Sequence, residues 1–409
     1  LIYRLGSCVP VPYVNVAELA TYFSQQLSGT VLGLYNAMSG SAFSQATVFA
    51  IGIQPYINAS IIVQLLTVAI PSLENIAKEP DGQQKLQQIT RYAGGIIALI
   101  MSLGYYFVVR NMGALKYTSG AAGIFTAVVI IATFTAGAQL ITWCGEQIDD
   151  KGIGNGLSLL IFSSIVSNWS SLYTTVAGLL TRAAAGESQF YIFLPLLLVL
   201  ALVVIVFIVI MTNAERRITI QYAKRVVGRK QMGGQNSYLP LKLNMTGVMP
   251  IIFASALVSI PGTIGSFMQV DQAAHPFWYA FFRTFNYTSP LYVVIYLLLI
   301  LAFNYFYVAI QYNPVEIANN LRRNNGSIPG FRPGKPTSDF ITRTLNKITL
   351  IGAIILAVVA VLPIVLGNLT GMSIQLGGTS LLIVVGVALD TTRSLDSFMT
   401  MRSHKGFLG

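Results

Sequence analysis

Charge is what this chain has least of. Only 10% of its 409 residues are Asp, Glu, Lys or Arg, against about 25% in an ordinary soluble domain. Beside 54% hydrophobic residues, so few charges cannot cover a water-facing surface, which excludes a soluble globular protein. Two cysteines (Cys8, Cys144) and two histidines (His275, His404) are too few and too scattered for a disulfide framework or a zinc site. Catalytic patterns are missing as well: no His-Glu zinc motif, no nucleophile elbow, no intramembrane carboxylate pair. Gly330-Phe-Arg-Pro-Gly-Lys-Pro-Thr337 superficially suggests a phosphate loop, but only three residues separate its glycines and a proline follows the lysine. The sequence therefore reads as neither an enzyme nor a holder of metal or cofactor.

What is present is apolar length. Charge-free stretches cover 19–73, 92–109, 117–145, 152–181, 188–214, 243–270, 284–315 and 348–389. Each is long enough for a membrane-spanning helix, which needs about 20 residues to cross about 30 Å of hydrocarbon. The chain is expected to be an all-α polytopic membrane protein. Residues 1–6 read as the tail of a first span whose start is absent, and no signal peptide is visible. Further spans are expected at about 49–70, 92–109, 123–143, 156–169, 190–211, 247–268, 291–309, 348–366 and 375–390. That makes nine complete spans and one remnant, ten in all. Between the first and second, residues 30–43 form a short, moderately apolar piece fit for a half-helix, tolerated at membrane depth only inside protein or a cavity.

The 25 basic residues set the orientation. Loops 71–91, 144–153, 212–242 and 310–347 and the C-terminal tail hold 20 of them, whereas the alternate loops hold only Arg110, Lys116, Arg182 and Arg283. The asymmetry places both termini in the cytoplasm by the positive-inside rule. The net charge of +11 is then read as cytoplasmic loops facing anionic lipid or a ribosome.

An internal repeat carries the most information. Pro55-Tyr-Ile-Asn-Ala-Ser-Ile-Ile-Val63 matches Pro250-Ile-Ile-Phe-Ala-Ser-Ala-Leu-Val258 at five of nine positions. Gly156-Leu-Ser-Leu-Leu-Ile161 matches Gly378-Thr-Ser-Leu-Leu-Ile383 at five of six. Spans two and five thus correspond to seven and ten. Five spans per repeat is an odd number, so the two halves, 1–170 and 171–409, run in opposite orientation, with the pathway between them. The matched segments carry Ile57, Ile161, Ile252 and Ile383, with Ile53 two residues ahead of the first, and no ionisable group lies mid-span. A ring of branched aliphatics suits a pore that seals by dewetting; equally, isoleucines in membrane helices are ordinary packing or lipid-facing residues. A solute transporter is the second reading, but an ion-coupled one is expected to bury an ionisable group. An intramembrane protease or lipid enzyme ranks third.

Five strings in order resemble the SecY family, the central subunits of the bacterial Sec protein-translocation channel. They are Gly52-Ile-Gln-Pro-Tyr-Ile-Asn-Ala-Ser-Ile-Ile-Val-Gln-Leu-Leu66, Gly152-Ile-Gly-Asn-Gly156, Leu239-Pro-Leu-Lys-Leu-Asn-Met-Thr-Gly-Val-Met-Pro250, Ile328-Pro-Gly-Phe-Arg-Pro-Gly-Lys-Pro-Thr337 and Gly377-Gly-Thr-Ser-Leu-Leu-Ile383. Gln54 departs, standing where an apolar residue is expected. The resemblance implies two inverted five-helix halves around a central hourglass pore, opening as a clamshell in the plasma membrane. Unfolded secretory polypeptides would cross through it, and signal sequences and membrane segments would leave sideways into lipid. Ile53, Ile57, Ile161, Ile252 and Ile383 would be the narrow ring, and 30–43 the plug. Spans two and seven would form the lateral gate, with Asn58, Ser60, Gln64 and Ser255 as polar contacts; ordinary interhelical hydrogen bonds are the plainer reading. Arg216, Arg217, Lys224, Arg225, Arg229 and Lys230 on loop 212–242, with Arg322, Arg323, Arg332 and Lys335 on loop 310–347, would dock the SecA ATPase or ribosomal RNA. Plain topogenic charge is the alternative for any one of them, least so for Arg332 in its Pro-Gly frame. SecE and SecG are the implied partner subunits, and a small one-to-three-span subunit is expected to clamp the hinge side.

Overall fold

An apolar run in lipid has only its own backbone to hydrogen-bond with, so helix is the structure such runs adopt. The computed structural model is accordingly mostly helical. It describes residues 2–22, 36, 39, 41–79, 81–167, 173, 176–177, 180–181, 189–222, 225–227, 230–232, 236–268, 276–285, 289–370 and 378–405. The helices are α1 (Ile2–Cys8), α2 (Val16–Tyr22), α3 (Gln54–Ala69), α4 (Pro71–Lys78), α5 (Gly82–Asn111), α6 (Gly120–Lys151), α7 (Gly156–Ser167) and α8 (Gln189–Asn213). They continue with α9 (Met249–Met268), α10 (Pro276–Thr284), α11 (Pro290–Gln311), α12 (Pro314–Arg323), α13 (Lys335–Thr370) and α14 (Gly378–Lys405).

Among the described residues, Gln84–Asn111, Gly120–Lys151, Pro290–Arg323 and Lys335–Leu362 are each long and apolar enough to cross a membrane. Gln54–Ala69 and Pro71–Ala77 qualify as a pair, bent by 106°. The bend has a local cause. Pro71 pushes Ile70 into extended backbone (φ −111°, ψ 113°) and opens a new helix as its first residue. Shorter apolar helices lie at Gly156–Ser167, Leu198–Asn213 and Met249–Gly265. The chain is a multi-pass membrane protein. Helices α5, α13 and α14 run well beyond the apolar windows read from sequence, because a helix continues into polar solvent once its lipid-spanning part is formed.

Helix neighbours recur. Helix α3 lies against α5, α5 against α6, α6 against α7, and α1 against α7. In the same order α9 lies against α11, α11 against α13, α13 against α14, and α8 against α14. The repeat also continues into backbone the sequence comparison did not reach. Ahead of α3, Val48 N–H donates to Val9 carbonyl at 3.0 Å; ahead of α9, Leu243 N–H donates to Ala214 carbonyl at 2.8 Å. Next to these, Pro10 bridges Thr47 as Glu215 pairs with Lys242. Gly52 and Gly247 then turn into their helices with φ +62° and +65°. Gly137 on α6 receives the Val48 carbonyl, and Gly352 on α13 the Leu243 carbonyl, so closely that a Cβ at either glycine would collide with that oxygen.

One element was not expected from a chain read as all helix. Strands β1 (Glu215–Tyr222), β4 (Asn236–Lys242) and β5 (Gly326–Ser327) form a small sheet in the order β4-β1-β5, and β2 (Arg225–Val227) pairs with β3 (Lys230–Met232). Its cause is visible in β1, where Ile218 and Ile220 alternate inward with period two. They pack with Leu321, Ile341, Leu345 and Ile348, tying loops 212–242 and 310–347 into one body.

Candidate functional site

Four isoleucines are buried where the repeat-related helices converge. Ile57 comes from α3, Ile161 from α7, Ile252 from α9 and Ile383 from α14, exposed by 5%, 4%, 2% and 3%. All belong to one apolar cluster, with Ile53 packed against it from the residue that caps α3. These helices touch in repeat-related pairs, α3 with α9 and α7 with α14. The described residues therefore place all five isoleucines singled out from sequence in or against one apolar cluster.

Beside this waist is a small cavity bordered by Tyr3, Ser39, Ile53, Gln54, Ile161 and Ser164, among others. The chain that reaches it is the end of segment 30–43, of which residues 30–35, 37, 38 and 40 lie outside the described residues. What is described is tied down firmly. Tyr3 on α1 donates its hydroxyl to the Ser39 carbonyl at 3.0 Å, and Tyr105 on α5 donates to the Phe43 carbonyl at 2.5 Å. The Phe43 and Tyr105 rings meet edge to face, 4.4 Å between centroids. Asn36 accepts Ser44 N–H on its side-chain oxygen at 2.9 Å.

A polar seam runs between α3 and the helices facing it. Gln64 Oε1 accepts the Tyr307 hydroxyl from α11 at 2.6 Å, while its Nε2 donates to Ser60 Oγ at 3.3 Å. Ser255 donates back to the Ile252 carbonyl of its own helix at 2.8 Å. Both serines are thus occupied within their own helices and do not bond each other. Asn58 is 7% exposed, and its Oδ1 has no hydrogen-bond partner among the described residues. Tyr307 was not singled out from sequence. It lies in an aromatic run, and no local pattern marks it as the partner of a glutamine 243 positions away.

The basic residues gather on the loop body. Arg216 and Arg217 are exposed on β1, with Arg217 Nε 2.7 Å from Glu215 Oε1. Arg322 and Arg323 occupy the last turn of α12, where they also complement the helix dipole. Strand β1 pairs with β5, which joins the two loops at Gln221–Ser327 and Tyr222–Gly326. Arg332 and Lys335 stand exposed beyond β5. Phe331 N–H returns to the Ile328 carbonyl at 3.1 Å around Pro329 and Gly330 (φ +86°), a type II turn. Thr337 Oγ1 then donates to the Arg332 carbonyl at 2.8 Å, and the Phe331 and Phe340 rings lie tilted against each other, 4.3 Å between centroids. Arg225 and Lys230 belong to β2 and β3. Lys224 and Arg229 lie outside the described residues.

A multi-pass helical membrane protein with an inverted internal repeat, its repeat-related helices packed around an apolar cluster, is the class this arrangement defines. Comparison with known proteins agrees with it. A family model described as SecY matches residues 47–392. The protein translocase subunit SecY of Halalkalibacterium halodurans is 40% identical over 417 residues, covering 100% of this chain and 94% of the relative. That of Thermus thermophilus is 40% identical over 412 residues, covering 99% and 92%. A solved structure described as that of a protein conducting channel superposes with a TM-score of 0.60 at 17% identity, over 96% of this chain and 89% of the other. Sec61 in the canine ribosome-channel complex from the endoplasmic reticulum does so with 0.57 at 16%, over 96% and 89%. The chain belongs to the SecY family. Nothing in these matches supports the solute-transporter reading.

Proposed function

We propose that the chain is the channel subunit of a protein translocase. It passes unfolded secretory polypeptides across the plasma membrane and releases signal sequences and membrane segments sideways into lipid. The observation that carries this reading is the waist: five branched aliphatic side chains from four repeat-related helices gathered in one apolar cluster. Water in a narrow apolar neck is unstable, so such a constriction blocks ions without a charged gate. It also offers a passing polypeptide no strong partner, so polar and apolar segments move through alike. The chain acts as a passage and performs no catalysis; the energy comes from a partner.

The halves are 1–170 and 171–409, carrying five spans each, with both termini cytoplasmic. Segment 30–43 is the plug. Its described end is held by Tyr3 and Tyr105, which supports a plug that swings from a fixed hinge. Asn58, Ser60, Gln64 and Ser255 line the lateral gate between α3 and α9. A gate must close reversibly, and this one holds few polar contacts. Asn58 Oδ1 has no hydrogen-bond partner among the described residues, so it contributes no polar contact that opening would have to break. A signal sequence opens the gate by as much as it binds the open state more tightly than the closed one.

Arg216, Arg217, Lys224, Arg225, Arg229, Lys230, Arg322, Arg323, Arg332 and Lys335 dock cytoplasmic partners. Charge-assisted contacts suit acidic side chains of the SecA ATPase or phosphates of ribosomal RNA. SecE and SecG complete the membrane complex. Reconstitution with SecE, SecG, SecA and ATP should render an unfolded precursor protease-resistant inside proteoliposomes. Accumulation of a small solute without precursor uptake would overturn the reading.

A further inference from the structure

The short helix α10 is unusual in composition: Pro276-Phe-Trp-Tyr-Ala-Phe-Phe-Arg-Thr284 carries five aromatic rings in nine residues. At 100° per residue, positions 277, 278, 281 and 282 share one face and 279 and 283 the opposite one. The aromatic face is divided. Phe282 lies so close to α9 that a Cβ on Gly265 would sit 2.6 Å from its ring, so only glycine admits it there. Phe277, Trp278 and Phe281 remain exposed by 73%, 52% and 41%. They are not loose, since Trp278 stacks on Phe282 at 5.8 Å and Phe281 leans on Phe285 at 5.2 Å.

We propose that α10 is an interfacial anchor, with Phe277, Trp278 and Phe281 seated at the boundary between lipid headgroups and acyl chains, at the end of α9 remote from the basic loops. Depth is the first argument. Gly265 is one turn from the end of α9 at Met268, so α10 is held level with the last turn of a membrane helix. Exposed aliphatics on the flanking helices are the second. Ile264 on α9 and Leu291, Val294 and Leu298 on α11 are exposed by 45%, 53%, 54% and 58%. Such residues on membrane helices face acyl chains, and the edge of that zone is where aromatic rings are most stable in a bilayer. Because α9 also carries Ile252 and Ser255, a foot fixed at the interface sets the depth of the helix that closes waist and seam.

The test uses the full membrane complex in nanodiscs, with Trp143→Phe and Trp169→Phe so that Trp278 is the sole tryptophan of this chain; tryptophan-free versions of any partner subunits complete it. Phosphatidylcholine brominated near the headgroup end of its acyl chains should quench Trp278 at least twofold more than deep-brominated lipid, and aqueous iodide should quench weakly. Should the double substitution impair folding, the difference between the otherwise intact complex and its Trp278→Phe variant isolates the same signal. Strong iodide quenching without bromolipid quenching would place the rings in water. Protection from both would place them under a partner subunit or a second copy. Either result overturns the proposal.

Discussion

Removing one oxygen from Tyr307 should shift the channel toward its open state. The Tyr307→Phe change keeps the ring, and with it the contact to Phe253 at 5.2 Å, but deletes the donor that reaches Gln64 Oε1 at 2.6 Å across the seam. Interhelical hydrogen bonds in membranes average about 0.6 kcal/mol and reach about 1.7. With RT near 0.6 kcal/mol, the closed-to-open ratio should fall about 3- to 18-fold. Single-channel recording in planar bilayers reads that ratio as resting open probability, and export of a precursor with a weakened signal sequence should rise in parallel. Gln64→Leu should match Tyr307→Phe, and the double variant should do no more than either alone, since all three lack the same bond. Tyr305→Phe is the control, because its hydroxyl meets only the Asn346 carbonyl at 3.4 Å on an exposed face. Additive effects of the two gate substitutions, or a Tyr307→Phe channel indistinguishable from the parent, would refute the latch.

Ile57→Asn combined with Ile252→Asn should let water wet the waist and raise resting ion conductance about tenfold or more, measured in planar bilayers; an unchanged conductance would remove these residues from the pore. Arg332→Glu should slow SecA-driven translocation much more than Lys242→Glu, although both reverse one exposed charge; equal defects in proteoliposome uptake would reduce the docking loop to generic charge. Gly137→Ala and Gly352→Ala each press a methyl group onto a carbonyl oxygen and should each destabilise the fold by about 1–3 kcal/mol, seen as lowered melting midpoints of the purified complex. If either variant melts with the parent, its glycine is not a required close approach.

Some of this architecture is local and therefore legible without coordinates. A charge-free stretch such as 348–389 must become helix, because lipid offers its backbone no hydrogen bonds. The pairing of Pro55 with Pro250 and of Gly156 with Gly378 was enough to identify the helices that now meet at the waist. The small sheet leaves a trace in the alternation of Ile218 and Ile220, set in a loop whose most conspicuous feature is its basic charge. Other features leave no trace in side-chain identity. Pro10–Thr47 and Glu215–Lys242 share a hydrogen-bonding geometry and no residue type, so only folded backbone reveals how far the repeat extends.

The sequence by itself determined the class of protein and most of its helices, because those follow from hydropathy and from short internal matches. The tertiary structure decided which polar groups cross the seam. Gln64 and Tyr307 are 243 positions apart, and each is an ordinary residue in its own helix. Their bond exists only because packing of α3 against α9 and of α9 against α11 brings them within 2.6 Å. Hydropathy is a property of each segment alone, whereas a hydrogen bond between helices depends on the rotation and depth of both.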